Sequence, residues 1–226
     1  MTVRKEDFAK LREDLLTMAQ LVQTAIKESV RSLVERNSDL ARAVIEGDRL
    51  INTYDVKIDE ECIRLIALSQ PMGRDLRALT TAMKITTDLE RIADNAVNIA
   101  ERALELNEEP QLKPYIDIPK MSEISQGMVK NAIDAFLNED KNLAIEVIKQ
   151  DDEIDDLNEA VLLELTFIMT QDPATVSRAM KISYISKYLE RIGDHATNIA
   201  EMVVYMVKGR MIRHMLPEQL EELEQE

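Results

Sequence analysis

Glu90, Asp94, Asn98 and Glu101 follow one another at spacings of four, four and three. At ~100° per residue these oxygen-bearing side chains share one stripe of a helix, about 80° wide. Further along the chain Glu190, Asp194, Asn198 and Glu201 repeat the pattern, and upstream of each stripe lies a second one. Asp48, Asn52, Asp55 and Asp59 form it in the first case. Asp151, Asp155 and Asn158 form it in the second, with Leu162 where Asp59 has its counterpart. Carboxylates at i and i+4 repel by a few tenths of a kcal/mol per pair. If two such stripes face each other across a seam, the acids must protonate, attract bases or bind a cation. Oxygen-only donors suit hard cations such as Mg²⁺, Ca²⁺, Mn²⁺, or iron in an all-oxygen cluster. His195, His214 and Cys62 are too few to serve zinc or copper. A charged helix face is ordinarily a solvated surface. Recurrence on corresponding helices, with an Asn in register, is what sets these stripes apart.

The stripes belong to an internal repeat. Residues 90–101 read Glu-Arg-Ile-Ala-Asp-Asn-Ala-Val-Asn-Ile-Ala-Glu, and residues 190–201 read Glu-Arg-Ile-Gly-Asp-His-Ala-Thr-Asn-Ile-Ala-Glu, identical at nine positions. Val44, Ile45, Asp48 and Ile51 likewise match Val147, Ile148, Asp151 and Ile154, and Pro71 matches Pro173. The chain is therefore a duplication of about a hundred residues.

Each half reads as three helices. Phe8, Leu11, Leu15, Met18, Val22, Ile26, Val30 and Leu33, spaced by three and four, predict a helix over about 6–36. Asn37 and Ser38 supply a stop followed by an N-cap. A second helix is expected over 39–69 and, after the break at Pro71 and Gly73, a third running to 107. Ile51, Tyr54, Ile58 and Leu65 mark the core face of the second helix. Leu89, Ile92, Ala96, Ile99, Ala100 and Ala103 mark that of the third. Pro110, Pro114 and Pro119 place a linker at 110–119. The second half repeats the plan over 120–138, 141–170 and 174–208, with Asp172-Pro173 as cap and first turn and Gly209 as the stop. The economical architecture is all-α. Two pseudo-symmetric antiparallel three-helix bundles, 1–109 and 120–209, precede an acidic tail over 210–226.

Composition agrees. The 226 residues carry a net charge of −15 and include only 5 Gly and 6 Pro, too few for the turns of a sheet protein. The surplus of acid argues against nucleic acid as a partner. The glycines are too scattered for a phosphate-cradling loop, and one cysteine excludes an intramolecular disulfide framework. No run is long and apolar enough to span a bilayer and the start has no apolar leader core, so a cytoplasmic location is expected.

Leu-Glu-Arg-Ile-(Gly/Ala)-Asp-x-Ala-x-Asn-Ile-Ala-Glu, present twice, resembles the motif of the PhoU family of phosphate-signalling regulators. The likeness extends to Val44-Ile45-Glu46-Gly47-Asp48, Ile58-Asp59-Glu60-Glu61-Cys62, Gln70-Pro71, Asp75-Leu76-Arg77, Asp172-Pro173 and Tyr205-Met206-Val207-Lys208-Gly209. The resemblance implies two three-helix bundles with surface metal sites on Glu/Asp-x-x-x-Asp motifs. These carry over to Glu90 with Asp94 and Glu190 with Asp194, and Asp55 with Asp59 has the same spacing. It further implies a non-enzymatic, homodimeric regulator that links the ATPase of a phosphate-specific ABC transporter to a phosphate-sensing histidine kinase. Such a protein restrains phosphate uptake and starvation signalling, and meets the membrane only through its partners. Leu162 breaks the symmetry expected of the two metal sites, and Ala93 against Gly193 is a smaller departure.

Other readings are weaker. Asn95 stands where the second motif has His195, which argues against a phosphotransfer histidine and leaves a helix-surface role. Ile192 and Met211 precede the two histidines by three, so a ferritin-like di-iron centre fails. Cys62 is expected to be buried, and Arg91 and Arg191 to pack and salt-bridge against a neighbouring helix. A metal-dependent hydrolase or phosphatase lacks an evident base, nucleophile or concave pocket. A purely structural scaffold predicts neither metal nor a phosphate phenotype.

Overall fold

The computed structural model describes residues 5–212. The acidic segment 213–226 lies outside the described residues. Six helices follow in order: α1 (Lys5–Val34), α2 (Ser38–Ser69), α3 (Arg74–Asn107), α4 (Asp117–Asn138), α5 (Lys141–Gln171) and α6 (Val176–Lys208), with one 3₁₀ turn, Pro173–Thr175.

The junctions follow from local chemistry. Asn37, rather than Ser38, caps α2: its side chain accepts from the Leu40 N–H at 3.1 Å, satisfying a donor that the helix itself leaves unpaired. The Arg36 guanidinium, just before it, donates to the carbonyls of Asn107 and Glu109 and ties this turn to the end of α3. α4 begins at Asp117, earlier than the proline count suggests. Pro119 sits in its first turn, where a missing N–H costs no helical hydrogen bond. Asp172 caps the 3₁₀ turn by accepting from the Ala174 N–H, which delays α6 to Val176. Gly209 closes α6 at φ +71°, a left-handed conformation that costs a residue without Cβ little.

α1, α2 and α3 pack on one another, as do α4, α5 and α6, and the two bundles meet along α3–α6 and α1–α4. Most of their buried residues join into one core spanning both halves, beside a small satellite of Ala41, Val44 and Ala100. Every residue marked in the sequence for the core of α3 is buried, as are Ile51, Ile58 and Leu65 of α2, while Tyr54 is half-buried. Fully burying a side chain such as Ile58 or Ile92 is worth ~1.5–3 kcal/mol. The helices carrying the doubled motif therefore form the spine of the molecule. One face of each is fixed in the core, and the acidic stripe is held beside it.

Candidate functional site

Two acidic seams result, one where α2 meets α3 and one where α5 meets α6. In the first, Asn52 Nδ2 donates to Asp48 Oδ2 at 2.8 Å, while Asp48 Oδ1 is buried and has no hydrogen-bond partner. Burial raises the Asp48 carboxyl above the usual range; the Asn52 hydrogen bond opposes this and the Asp94 charge adds to it. Glu90 is raised by burial, then by Asp94, against the pull of Arg91, and then by Asp55 and Asp48. Asp55 is raised by burial and by Asp59. Asp48, Asp55, Glu90 and Asp94 thus feel one another across the two helices.

The second seam is tighter. Burial, then the charges of Asp194 and Asp155, push Asp151 up to about 7, with Glu190 adding and Thr197 opposing. Asp155 and Asp194 are also raised, in each case first by burial, and then by Glu190 and by Asp155 respectively. Lys187 opposes both shifts and donates to Glu190 Oε1 at 2.5 Å. Glu190 Oε2, Asp151 Oδ1 and the Oδ1 of buried Asn158 have no hydrogen-bond partner. Gly193 sets the approach: a Cβ there would stand 3.1 Å from Asp151 Oδ1 and 3.2 Å from Ile154 Cγ2.

The rest of each stripe lies elsewhere. Glu101 is exposed and pairs with Arg102 of its own helix, and Glu201 is half-buried two turns beyond Asp194. Leu162, in the position corresponding to Asp59, is exposed. Asn98 and Asn198 face a groove of about 650 Å³ that also takes in Asp94, Asp194, Asp151, Asn95 and His195. Both seams open into this groove, between the two halves, so the expectation of a bundle without a concavity is corrected. It arises where α3 and α6 bring the two motif copies together.

Other side chains depart from their expected places. Arg91 reaches Glu90 and Asp94 of its own helix, at 3.5 and 3.4 Å, rather than a neighbouring one. His195 is no plain surface residue: its Nδ1 lies 2.9 Å from Asp88 Oδ1, joining α6 to α3. Asp88 carries no signal in the sequence, since Tyr188 stands at the matching place. Cys62 is fully buried, and burial lifts its thiol to about 12.

The donor set of the seams is all carboxylate and amide oxygen, the chemistry of hard cations. Unpartnered buried oxygens on Asp48, Asp151 and Glu190 fit that use. Among the described residues, no three or more His, Cys, Asp or Glu side chains already form a group that could hold an ion. An ion would have to draw the carboxylates of a seam inward.

A family model described as the PhoU domain matches the chain twice, over residues 15–103 and 118–203. A phosphate-specific transport system accessory protein PhoU homolog of Aquifex aeolicus is 43% identical over 209 residues, covering 92% of this chain and 95% of that protein. Its namesake in Pseudomonas putida is 40% identical over 210 residues, covering 92% and 82%. The crystal structure of PhoU from Pseudomonas aeruginosa matches with a TM-score of 0.87 at 39% identity, over 91% of this chain and 99% of that one. That of the phosphate transport system regulatory protein PhoU from Streptococcus pneumoniae gives 0.84 at 28%, over 90% and 96%.

Proposed function

The chain belongs to the PhoU family, and we propose that it is an accessory regulator coupling a phosphate-specific ABC transporter to a phosphate-sensing histidine kinase. In this reading it contacts the transporter's ATPase subunit and the kinase, acts without catalysis, and holds down phosphate uptake and starvation signalling. The observation that carries it is the doubled acidic motif, in register in both matched domains, whose Glu90 with Asp94 and Glu190 with Asp194 face the acids of the neighbouring helix in each half. The relatives' names attach such a chain to phosphate transport. Among the described residues no helix is long and apolar enough to cross a membrane. In this reading the protein works from the cytoplasm, as a homodimer, and meets the membrane through its partners.

Mg²⁺, Mn²⁺, Ca²⁺ or iron would be held by Asp48, Asp55, Glu90 and Asp94 in one half and by Asp151, Asp155, Glu190 and Asp194 in the other. The ion supplies positive charge that offsets the repulsion within each seam and fixes adjacent helices together. The remaining helical surface then serves as a docking face of defined shape. Deleting the protein should raise a phosphate-starvation reporter in phosphate-replete cells, and a pull-down from those cells should recover the ATPase and the kinase. Unchanged reporter output in the deletion strain would sink this reading.

A further inference from the structure

We infer that the outer face where α5 ends and α6 begins docks a partner protein through an amphipathic helix with one apolar stripe and a Lys/Arg-rich flank. Six large apolar side chains stand exposed there: Leu162, Leu163 and Phe167 on α5, and Val176, Met180 and Tyr184 on α6. Leu163 and Phe167 are 66% and 65% exposed. The two sets lie level with each other. The helices run antiparallel, with Asp155 feeling the charge of Glu190 and Gly193 set against Asp151 and Ile154. Two turns on from that pairing, about 10 Å along the axes, α5 reaches Leu162 and α6, traced backward, reaches Tyr184. The second acidic seam therefore runs on into an apolar surface, the kind of exposed patch that marks an interaction site.

This face is particular to the second half. Asp152, Asp156, Glu159, Leu163 and Phe167, spaced by four, three, four and four, share one exposed stripe about 80° wide. It is acidic at one end and apolar at the other. At the offset of the repeat, the same stripe of α2 reads Arg49, Thr53, Val56, Glu60 and Arg64, with charge and apolar surface interspersed. Arg64 there donates to Glu61 and to Asp7, tying α2 to α1. Phe167, in its place, stays in the open.

Charge selects the occupant. The cations next to this face are engaged within the molecule: Arg178 donates to the Pro110 carbonyl, Lys181 pairs with Glu105 and Glu109, and Lys187 donates to Glu190. A second copy docking by the same face would bring only those engaged cations and the same acids. An anionic lipid surface would be repelled by Asp152, Asp156 and Glu159. A helix with apolar residues at i, i+3, i+4 and i+7 and Lys or Arg beside them answers both ends of the stripe.

A photo-crosslinking amino acid at position 163 tests this in phosphate-replete cells, with one at position 60 as the control. The first should crosslink a partner segment of helical apolar period rich in Lys and Arg. Asp152→Lys/Asp156→Lys/Glu159→Lys should cut that yield about fivefold. A crosslink to a second copy, to lipid, to a segment without excess base or to nothing overturns the proposal. So does a yield no greater than at position 60, or one unmoved by the charge reversal. In the regulatory reading, on which a second readout rests, Leu163→Glu/Phe167→Glu should raise the phosphate-starvation reporter as deletion does. Leu163→Met/Phe167→Met should leave it low, and both variants should melt like wild type because the side chains are exposed. A reporter that rises on deletion but not in Leu163→Glu/Phe167→Glu strikes this docking face and leaves the regulatory role standing. A reporter unmoved by deletion strikes that role and leaves the crosslink to decide the face.

Discussion

The two acidic seams descend from one duplicated motif, yet they are different electrostatic objects. In the α2–α3 seam Ala93 lies at the position of Gly193, and Asp48 has an amide donor of its own, Asn52. In the α5–α6 seam Gly193 leaves room for Asp151 and Ile154 within van der Waals contact, and Asp151 rises to about 7. The second seam answers with cations that the first lacks: Lys187 holds Glu190 and His195 offsets Asp194, while Arg191 opposes Asp194 as Arg91 opposes Glu90 in the first. Thr87 and Asn95 stand at the places of Lys187 and His195 in the first half. The first seam instead keeps Asp59, which Leu162 replaces. Identity of residue types therefore does not make identical sites; depth and neighbouring charge set how strongly each demands a proton or an opposing charge.

The largest test of the comparison is metal content. Glu90→Ala/Asp94→Ala should empty the first seam alone and Glu190→Ala/Asp194→Ala the second alone, read by elemental analysis and by loss of the metal-dependent part of the melting temperature. Uptake at the second seam should rise more steeply between pH 6 and 8, because Asp151 must give up its proton to bind. If both double variants retain wild-type metal content, or wild type binds none, the seams are solvated faces.

Next comes pH. Asp151 has an ordinary value of 3.8 and is raised to about 7 in the fold, so between these values the folded chain binds the extra proton and stability falls as pH rises. In metal-free protein Asp151→Asn should remove that slope, melting roughly 2–4 °C above wild type at pH 8 and alike at pH 4. Asp48→Asn should gain less. Parallel pH profiles for wild type and Asp151→Asn would show that the second seam is no deeper than the first.

Gly193→Ala transplants the first half's residue into the second. Helix propensity favours it by ~1 kcal/mol, but its Cβ meets fully buried Ile154 at 3.2 Å, and overpacking costs ~1–3 kcal/mol. The net expectation is a melting temperature lower by about 2–4 °C, with Asp151 displaced and titrating closer to an ordinary carboxyl. A gain in stability with an unmoved Asp151 would mean that the helix spacing is set elsewhere. The smallest effect belongs to Lys187→Thr. It removes a half-exposed ion pair worth ~0–1 kcal/mol, and calorimetry should find a change under about 2 °C.

Periodicity made most of the fold legible. A 3.6-residue repeat is a local property, and Leu89, Ile92, Ala96 and Ile99 are buried on the face that their spacing names. Helix ends shifted at Asn37, Pro119 and Val176, where capping and first-turn chemistry rather than periodicity sets the start. The stripes themselves were readable for the same reason, since residues four apart share a face whatever surrounds them. The chain alone therefore determined six helices, their duplication and which side of α2, α3, α5 and α6 carries acid. It could not determine how closely two helices approach, because that depends on side chains from both, as Gly193 against Asp151 and Ile154 illustrates. Nor could it reveal the groove between α3 and α6 or the contact of His195 with Asp88, residues 107 positions apart. Those belong to the tertiary structure: burial and charge coupling depend on distance in space, and only packing the two halves into one core fixed those distances.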